Sequence, residues 1–163
     1  MKKSFILILL ISAIGFNSIA QSNSSSKKVL KTIYWLRDNP VKMTKPKFSK
    51  KYSEVLGWLM SNRPDFQFNT SGLKEFMDKY ESNSDYEYTQ EITLLYTLGQ
   101  VAYEIETNKK KDHENAGYYS IKYILEYYQN LLKLDENLKN ELLENYLILE
   151  KENKLEEHIK ELI

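Results

Sequence analysis

Hydrophobic residues recur at helical spacing along most of this chain. From residue 27 to residue 163 they fall three and four positions apart, and no alternating stretch is long enough to found a sheet. The pattern predicts an all-α fold, a single domain of six or seven helices in antiparallel hairpins. The first helix is expected to end near Asn39, before Pro40, with Val29, Ile33 and Leu36 on its buried side.

The next segments are shorter. Ser49 is expected to cap a second helix. The apolar positions of that helix are Tyr52, Val55, Leu56, Leu59 and Met60. Residues 65–69 then alternate briefly, which predicts an extended connector with Phe66 and Phe68 turned inward. A short helix is expected to follow and to end near Tyr80.

The widest apolar pattern predicts the central helix of the fold. It lies at about residues 85–107, where apolar side chains cover more than half of the helix circumference. The polar residues opposite them are Thr93, Thr97, Gln100 and Glu104. A helix with so wide an apolar surface is covered on several sides, so we expect the other helices to pack around it.

Small residues predict a tight antiparallel hairpin between the central helix and the next one. Asp112 is expected to cap that next helix, which runs to about Leu134. Folding the chain in the turn between the helices brings Gly99 opposite Ser120. Small residues that lie opposite each other allow two helix backbones to approach closely, so the crossing is expected near Gly99 and Gly117.

Two more amphipathic helices are predicted in the last part of the chain, at residues 135–151 and 154–163. In the second of them, Leu155, Ile159 and Leu162 share one side. All the predicted helices together give one helical domain over residues 27–163.

The N-terminal residues 1–20 are typical of a bacterial export signal. Two lysines precede an apolar run over residues 5–14, which is shorter than the ~20 residues that span a bilayer, and small residues lead up to Ala20. We expect cleavage after Ala20, a flexible Ser-rich lead-in at residues 21–26, and a periplasmic or secreted protein that is not transmembrane after processing. The alternative is an uncleaved anchor. The chain has no Cys, so neither disulfides nor a lipid on cysteine are expected.

Charge is distributed unevenly, although 23 basic and 23 acidic residues balance over the whole chain. Nine basic residues lie between Lys27 and Tyr52, and Asp38 alone opposes them. Either this basic segment packs against the acidic remainder, or it binds anionic lipid or polysaccharide. The residues expected to meet such an anionic surface are Lys42, Lys45, Lys47, Lys50 and Lys51.

Known catalytic and cofactor motifs are missing from the sequence. It has no glycine-rich phosphate loop, no Gly-x-Ser-x-Gly and no pair of histidines one helical turn apart, so we expect no cofactor and no metal. His113 and His158 are expected to be ordinary polar residues. The remaining catalytic alternative is a cell-wall hydrolase, which needs two carboxyls roughly 5–10 Å apart in a cleft. Glu104 and Glu106 are the pair nearest the centre of the predicted fold.

Tyrosine is abundant, with 13 residues in the chain. On the helix that follows Asp112, Tyr119 and Tyr123 fall towards the polar side and Tyr127 falls at its border. Half-exposed tyrosines suit protein contacts, so these three are the expected partner-binding residues. The alternative is that they close the rim of the core. Nucleic acid is not an expected partner, because the basic segment is poor in stacking aromatics.

Two resemblances to known proteins can be stated from particular residues. Leu95-x-x-Leu98-Gly99, followed by Ala102-Tyr103, is similar to the first helix of a tetratricopeptide repeat, and the likeness covers one hairpin. More broadly, the chain resembles a group of uncharacterised exported helical bacterial proteins, which implies an all-helical exported domain and no particular activity. The segments that carry this second likeness are residues 56–60, 64–68, 94–106 and 154–158.

These observations favour a non-catalytic exported domain that binds a protein partner. One version is an immunity or inhibitor protein that blocks a toxin or a cell-wall hydrolase, by analogy with other small helical domains. The alternative is an envelope-associated module that binds anionic lipid or polysaccharide through the basic segment Lys27–Lys51.

Overall fold

The computed structural model of the protein describes residues 25–63, 65–80 and 86–163. Helices and turns without any strand make up these residues, so the all-α prediction is confirmed. The predicted export signal, most of the predicted lead-in and the predicted break at residues 82–84 lie outside the described residues. Within the described ranges, no helix combines the length and the apolarity that a membrane crossing requires.

In the described part of the chain, seven α-helices follow one another. They are α1 (residues 25–38), α2 (Pro46–Asn62), α3 (Lys74–Tyr80), α4 (Thr89–Thr107), α5 (His113–Leu134), α6 (Glu141–Lys151) and α7 (Leu155–Leu162). Single 3₁₀ turns lie at Ser71–Leu73, before α3, and at Glu136–Leu138, before α6. The number of helices agrees with the predicted six or seven.

Helix α4 is buried along most of its length, as predicted, but α5 rather than α4 contacts most of the other elements. Its apolar residues Leu95 and Leu98 are fully buried, and Gln100 and Glu104 on its polar side are buried as well. Gln100 explains how that side is covered. Its amide nitrogen donates to the Asn69 carbonyl at 2.6 Å, and its amide oxygen accepts from the Asn69 N–H at 3.0 Å. The connector before α3 therefore lies across the polar side of α4.

Helices α4 and α5 form the predicted tight hairpin. A Cβ atom built on Gly99 would lie 2.7 Å from the Ser120 Cα, so the two backbones are in direct contact there and the predicted Gly99–Ser120 register is confirmed. Gly117 has a different role. A Cβ atom at Gly117 would collide with the Ile163 side chain, so Gly117 makes room for the residue after α7 rather than for the α4 backbone.

Helix α2 differs from its prediction at its start and in the exposure of one apolar residue. It begins at Pro46 rather than behind a Ser49 cap, because proline is favourable at the first helical positions, where its missing N–H has no partner to lose. Val55 and Leu59 are buried as predicted, but Met60 is 77% exposed, because it is turned away from Leu59 by one helical step.

Two other predictions are corrected. Phe68 is 43% exposed, because it packs edge-on against Phe66 at the surface (ring centroids 4.9 Å apart) instead of entering the core.

The helix predicted over residues 135–151 is interrupted before α6. The Asn140 side chain accepts from the Leu143 N–H at 3.1 Å, so Asn140 caps a new helix rather than continuing an older one.

Candidate functional site

The structure separates the three tyrosines that the sequence singled out. Tyr119 is half-buried, whereas Tyr123 and Tyr127 are 2% and 0% exposed. The expectation that Tyr123 and Tyr127 lie half-exposed is wrong: α1 packs against Tyr123, and Tyr127 is buried near Tyr86, Tyr88 and Glu91. The Tyr123 hydroxyl donates to the Ile33 carbonyl of α1 at 2.6 Å, and burial raises the pKa of this phenol well above its usual value.

Tyr119 belongs to a hydrogen-bonded cluster with Tyr34 and Glu106. Its hydroxyl donates to the Glu106 Oε2 at 2.8 Å and lies 3.0 Å from the Tyr34 hydroxyl, which in turn donates to the Glu106 Oε1. Burial, together with the hydrogen bond to Glu106, raises the pKa of Tyr34, so this phenol stays protonated. Both carboxylate oxygens of Glu106 therefore accept a hydrogen bond from a phenol. The cluster joins α1 to the end of α4 and the start of α5.

An open groove of about 610 Å³ lies beside Tyr119. Tyr103 borders it, with its ring edge-on to the Tyr119 ring at 5.7 Å between centroids. Charged side chains of both signs line the rest of the groove: Arg37, Lys109, Lys122, Glu126 and Glu156. An aromatic centre within a charged rim is an arrangement that protein interfaces use.

The carboxylates Asp65, Glu104 and Asp112 line a small pocket together with His113. Burial raises the pKa of Glu104, whereas the hydrogen bond from Tyr103 lowers the pKa of Asp112. Opposite shifts of this kind are found in acid and base pairs of glycosidases. The volume is only about 30 Å³, however, which is the space of about one water molecule. This pocket has no room for a saccharide.

Two carboxylates of this pocket also form ion pairs with neighbouring side chains. Asp65 pairs with Lys110 at 2.8 Å and Glu104 with Arg63 at 3.3 Å. His158, the other histidine, lies far along the chain, where its Nε2 is 3.0 Å from Glu75. Across the described ranges, no three His, Cys, Asp or Glu residues are grouped as metal ligands would be.

The basic segment is paired with acidic residues at two points. Arg37 pairs with Glu126 at 2.7 Å, and Lys42 pairs with Glu87 at 2.9 Å. Lys42 also donates to the Glu87 carbonyl and lies 3.5 Å from the centroid of the Tyr88 ring, so its ammonium group is directed at the protein itself. Among the described residues, ion pairing of the basic segment with the acidic remainder therefore involves two basic side chains.

The other seven basic residues of the segment make no ion pair with any described carboxylate. We name them the lysine face. Its members are Lys27, Lys28, Lys31, Lys45, Lys47, Lys50 and Lys51. Six of these side chains are exposed, and that of Lys51 is half-buried.

Trp35 joins the two halves of the lysine face. On α1, Lys27, Lys28 and Lys31 lie opposite the buried Ile33, and Trp35 is on their side of the helix. The ammonium groups of two α2 lysines lie above the Trp35 ring, with Lys47 at 4.3 Å and Lys51 at 4.6 Å from its centroid. Cation–π contacts therefore hold lysines of α2 beside those of α1.

A second feature of this region was not expected from the sequence. A cleft of about 320 Å³ separates the start of α1 from the end of α2, and Trp58 lies in its wall. The signal that could have revealed it is the placement of both tryptophans of the chain within the lysine-rich helices. Aromatic rings beside lysine stems are typical of surfaces where apolar and polar surroundings meet.

Neither protein-family models, nor curated proteins, nor solved structures gave a match to this chain.

Proposed function

We propose that the protein is a non-catalytic binding module of the bacterial cell envelope, which attaches to an anionic surface through its lysine face. The observation that carries the proposal is the set of seven lysines on α1, on α2 and directly before α2 that have no carboxylate partner among the described residues. An ammonium group without an internal partner keeps its full attraction for external phosphate or carboxylate groups. The predicted export signal supports a place outside the cytoplasm.

The charge of the rest of the chain supports a fixed orientation of binding. Residues 53–163 contain 12 basic and 22 acidic residues. An anionic surface repels this part of the protein and attracts α1 and α2. The lysine face is therefore expected to contact the anionic surface. Helices α6 and α7 belong to the acidic part of the chain, which the surface repels.

Removing charge from the lysine face is expected to abolish binding at physiological salt. Each lysine close to an anionic surface contributes about 1 kcal/mol, so replacing five of them by glutamine should weaken binding at least about 100-fold. The five positions are Lys27, Lys28, Lys31, Lys45 and Lys50. Binding is measured by sedimentation with vesicles of phosphatidylglycerol and phosphatidylcholine, and by retention on polygalacturonate, a polyanionic polysaccharide.

The matched control removes five exposed lysines that lie on other elements and also lack a described carboxylate partner. These are Lys74, Lys111, Lys133, Lys139 and Lys151. Both variants lose the same charge, so the control should bind nearly as well as the unchanged chain. Equal losses in the two variants would show that net charge, and not the lysine face, governs the attachment.

A second candidate function is binding of a protein partner at the groove beside Tyr119. Tyr119 is the half-buried aromatic residue of this groove and has an edge contact with Tyr103, whereas Tyr123, which also lines the groove, is buried. Contacts centred on aromatic residues resist salt, whereas lysine contacts do not.

Tyr119→Ala is expected to remove any partner that stays bound at high salt when the protein is purified from its own cells. The control is Tyr52→Ala, which truncates a half-buried tyrosine outside the groove. Retention of the same partner by both variants would exclude the groove as its binding site.

A further inference from the structure

The cleft between α1 and α2 has an apolar interior whose polar atoms are already bonded within the protein. The Trp58 indole N–H donates to the Ser25 hydroxyl at 2.6 Å, and the Thr32 hydroxyl donates to the Lys28 carbonyl at 3.3 Å. Val29 and Val55 supply the buried apolar surface. A sugar would need hydrogen-bond partners that Trp58 and Thr32 no longer offer, whereas a hydrocarbon chain needs none.

Charged groups lie at the border of the same cleft. Lys28, a member of the lysine face, lines the cleft with an exposed side chain, and Glu54 lines it from α2. A phosphate held by Lys28 would therefore place the group attached to it next to Val29 and Trp58. The juxtaposition of an anion-binding ammonium group with an apolar cleft fits a molecule that carries both a phosphate and a hydrocarbon chain.

The surroundings of the cleft have the composition of a surface that meets a bilayer. Trp58 lies in the cleft wall. Trp35 lies beneath the ammonium groups of Lys47 and Lys51. Tryptophan rings and lysine stems are favoured at the level of lipid headgroups, where one end of the side chain is apolar and the other is hydrated.

We infer that the anionic surface is a phospholipid bilayer, and that the cleft between α1 and α2 takes up the glycerol and upper acyl region of an anionic phospholipid whose phosphate is held by the lysine face. This inference rests on the proposed function, because it assigns the lysine face to lipid phosphates. It adds an apolar contact that a polysaccharide cannot make. The lysine face beside the cleft and the apolarity of the cleft interior are the two observations behind it.

Quenching of tryptophan fluorescence by bromine tests the inference on the full chain. In the Trp35→Phe variant, Trp58 is the only tryptophan, and in Trp58→Phe, Trp35 is the only one. Each is mixed with vesicles of phosphatidylglycerol and phosphatidylcholine that carry bromine on the upper acyl carbons, and with the same vesicles without bromine. We expect bromine to quench Trp58 strongly and Trp35 weakly, because Trp35 lies at the level of the lysine ammonium groups.

The possible results separate the inference from the proposed function. Binding to vesicles without bromine quenching of Trp58 overturns the acyl contact and leaves attachment by the lysine face. Retention on polygalacturonate without vesicle binding overturns the choice of lipid alone. Absence of binding to both surfaces overturns the proposed function as well. Circular dichroism of the two variants establishes that both are folded.

Discussion

Gly99→Ala is expected to lower the free energy of unfolding by about 1–3 kcal/mol, the usual cost of forcing extra atoms into a packed core. The added Cβ atom would lie 2.7 Å from the Ser120 Cα and 2.8 Å from its hydroxyl oxygen. Both distances are far shorter than carbon contacts in folded proteins, and the Cα belongs to the α5 backbone, which cannot turn aside as a side chain can. The α4–α5 hairpin must therefore open locally.

The sign of this effect is informative because helix propensity acts in the opposite direction. Alanine stabilises the interior of an exposed helix by about 0.5–1 kcal/mol relative to glycine. Gly57 provides the control, since it is exposed on α2 and a Cβ atom there would meet nothing within 4 Å. Gly57→Ala is therefore expected to raise the stability that Gly99→Ala lowers.

Urea unfolding followed by circular dichroism measures both changes. Adding Ser120→Gly to Gly99→Ala should restore part of the loss, because it removes the hydroxyl and Cβ contacts but leaves the Ser120 Cα in place. If Gly99→Ala were as stabilising as Gly57→Ala, the two central helices would not be in backbone contact, and the described packing of α4 on α5 would be wrong.

Tyr123→Ala is expected to lower the free energy of unfolding by about 3–5 kcal/mol, as truncation of a large buried aromatic side chain does. The Tyr123 side chain lies between α5 and α1, is 2% exposed, and donates its hydroxyl proton to the Ile33 carbonyl. Tyr123→Phe keeps the ring and loses that hydrogen bond, so a cost of about 1 kcal/mol is expected. The difference between the two variants measures the packing of the ring.

Tyr118→Ala serves as the control for this experiment, because Tyr118 lies on the same helix and is only partly buried. Its hydroxyl makes one long hydrogen bond, 3.4 Å to Glu150. We expect Tyr118→Ala to cost about 1 kcal/mol, which is typical of point substitutions. Similar costs at Tyr118 and Tyr123 would mean that α1 does not cover α5, and Tyr123 would again be a candidate for partner binding.

The central hairpin could be predicted from the sequence because its signals are local. The wide apolar pattern of α4 indicates burial without knowledge of its neighbours. Gly99 and Ser120 indicate the register, because two small residues at equal distance from a turn can face each other only in one alignment. The cap at Asn140 is also a local signal, and an asparagine ahead of Glu141 could have placed the start of α6 correctly.

The surfaces of the fold could not be predicted in the same way, because they depend on contacts between distant segments. Tyr123 is buried by Ile33 of α1, which is 90 residues away in the chain. Gln100 is buried by a connector 31 residues away. A helical wheel of α5 or α4 contains no information about either contact. A residue at the border between the polar and apolar sides of the wheel is therefore predicted to be half-exposed.

The same difference between local signals and contacts of distant segments applies to the candidate site. The basic character of residues 27–51 is evident in the sequence, and so is the scarcity of acidic residues there. That Lys47 and Lys51 meet Trp35, and that Trp58 bonds to Ser25 across a cleft, depends on how α1 pairs with α2. The sequence therefore indicates an anionic partner as one alternative, and its only signal of the apolar cleft is the placement of both tryptophans within the lysine-rich helices.

The position of Ile163 has a consequence for the order in which the core is completed. Its side chain fills space that two glycines leave open, one in the turn before α3 and one in α5, and both also lie close to Tyr96 of α4. The chain segments that surround this space are all made before Ile163. Without α7 and Ile163, the other helices would leave a void next to α4, and such a void weakens the packing of the residues around it. Packing around Tyr96 is therefore complete only once α7 and the residue after it have joined the other helices.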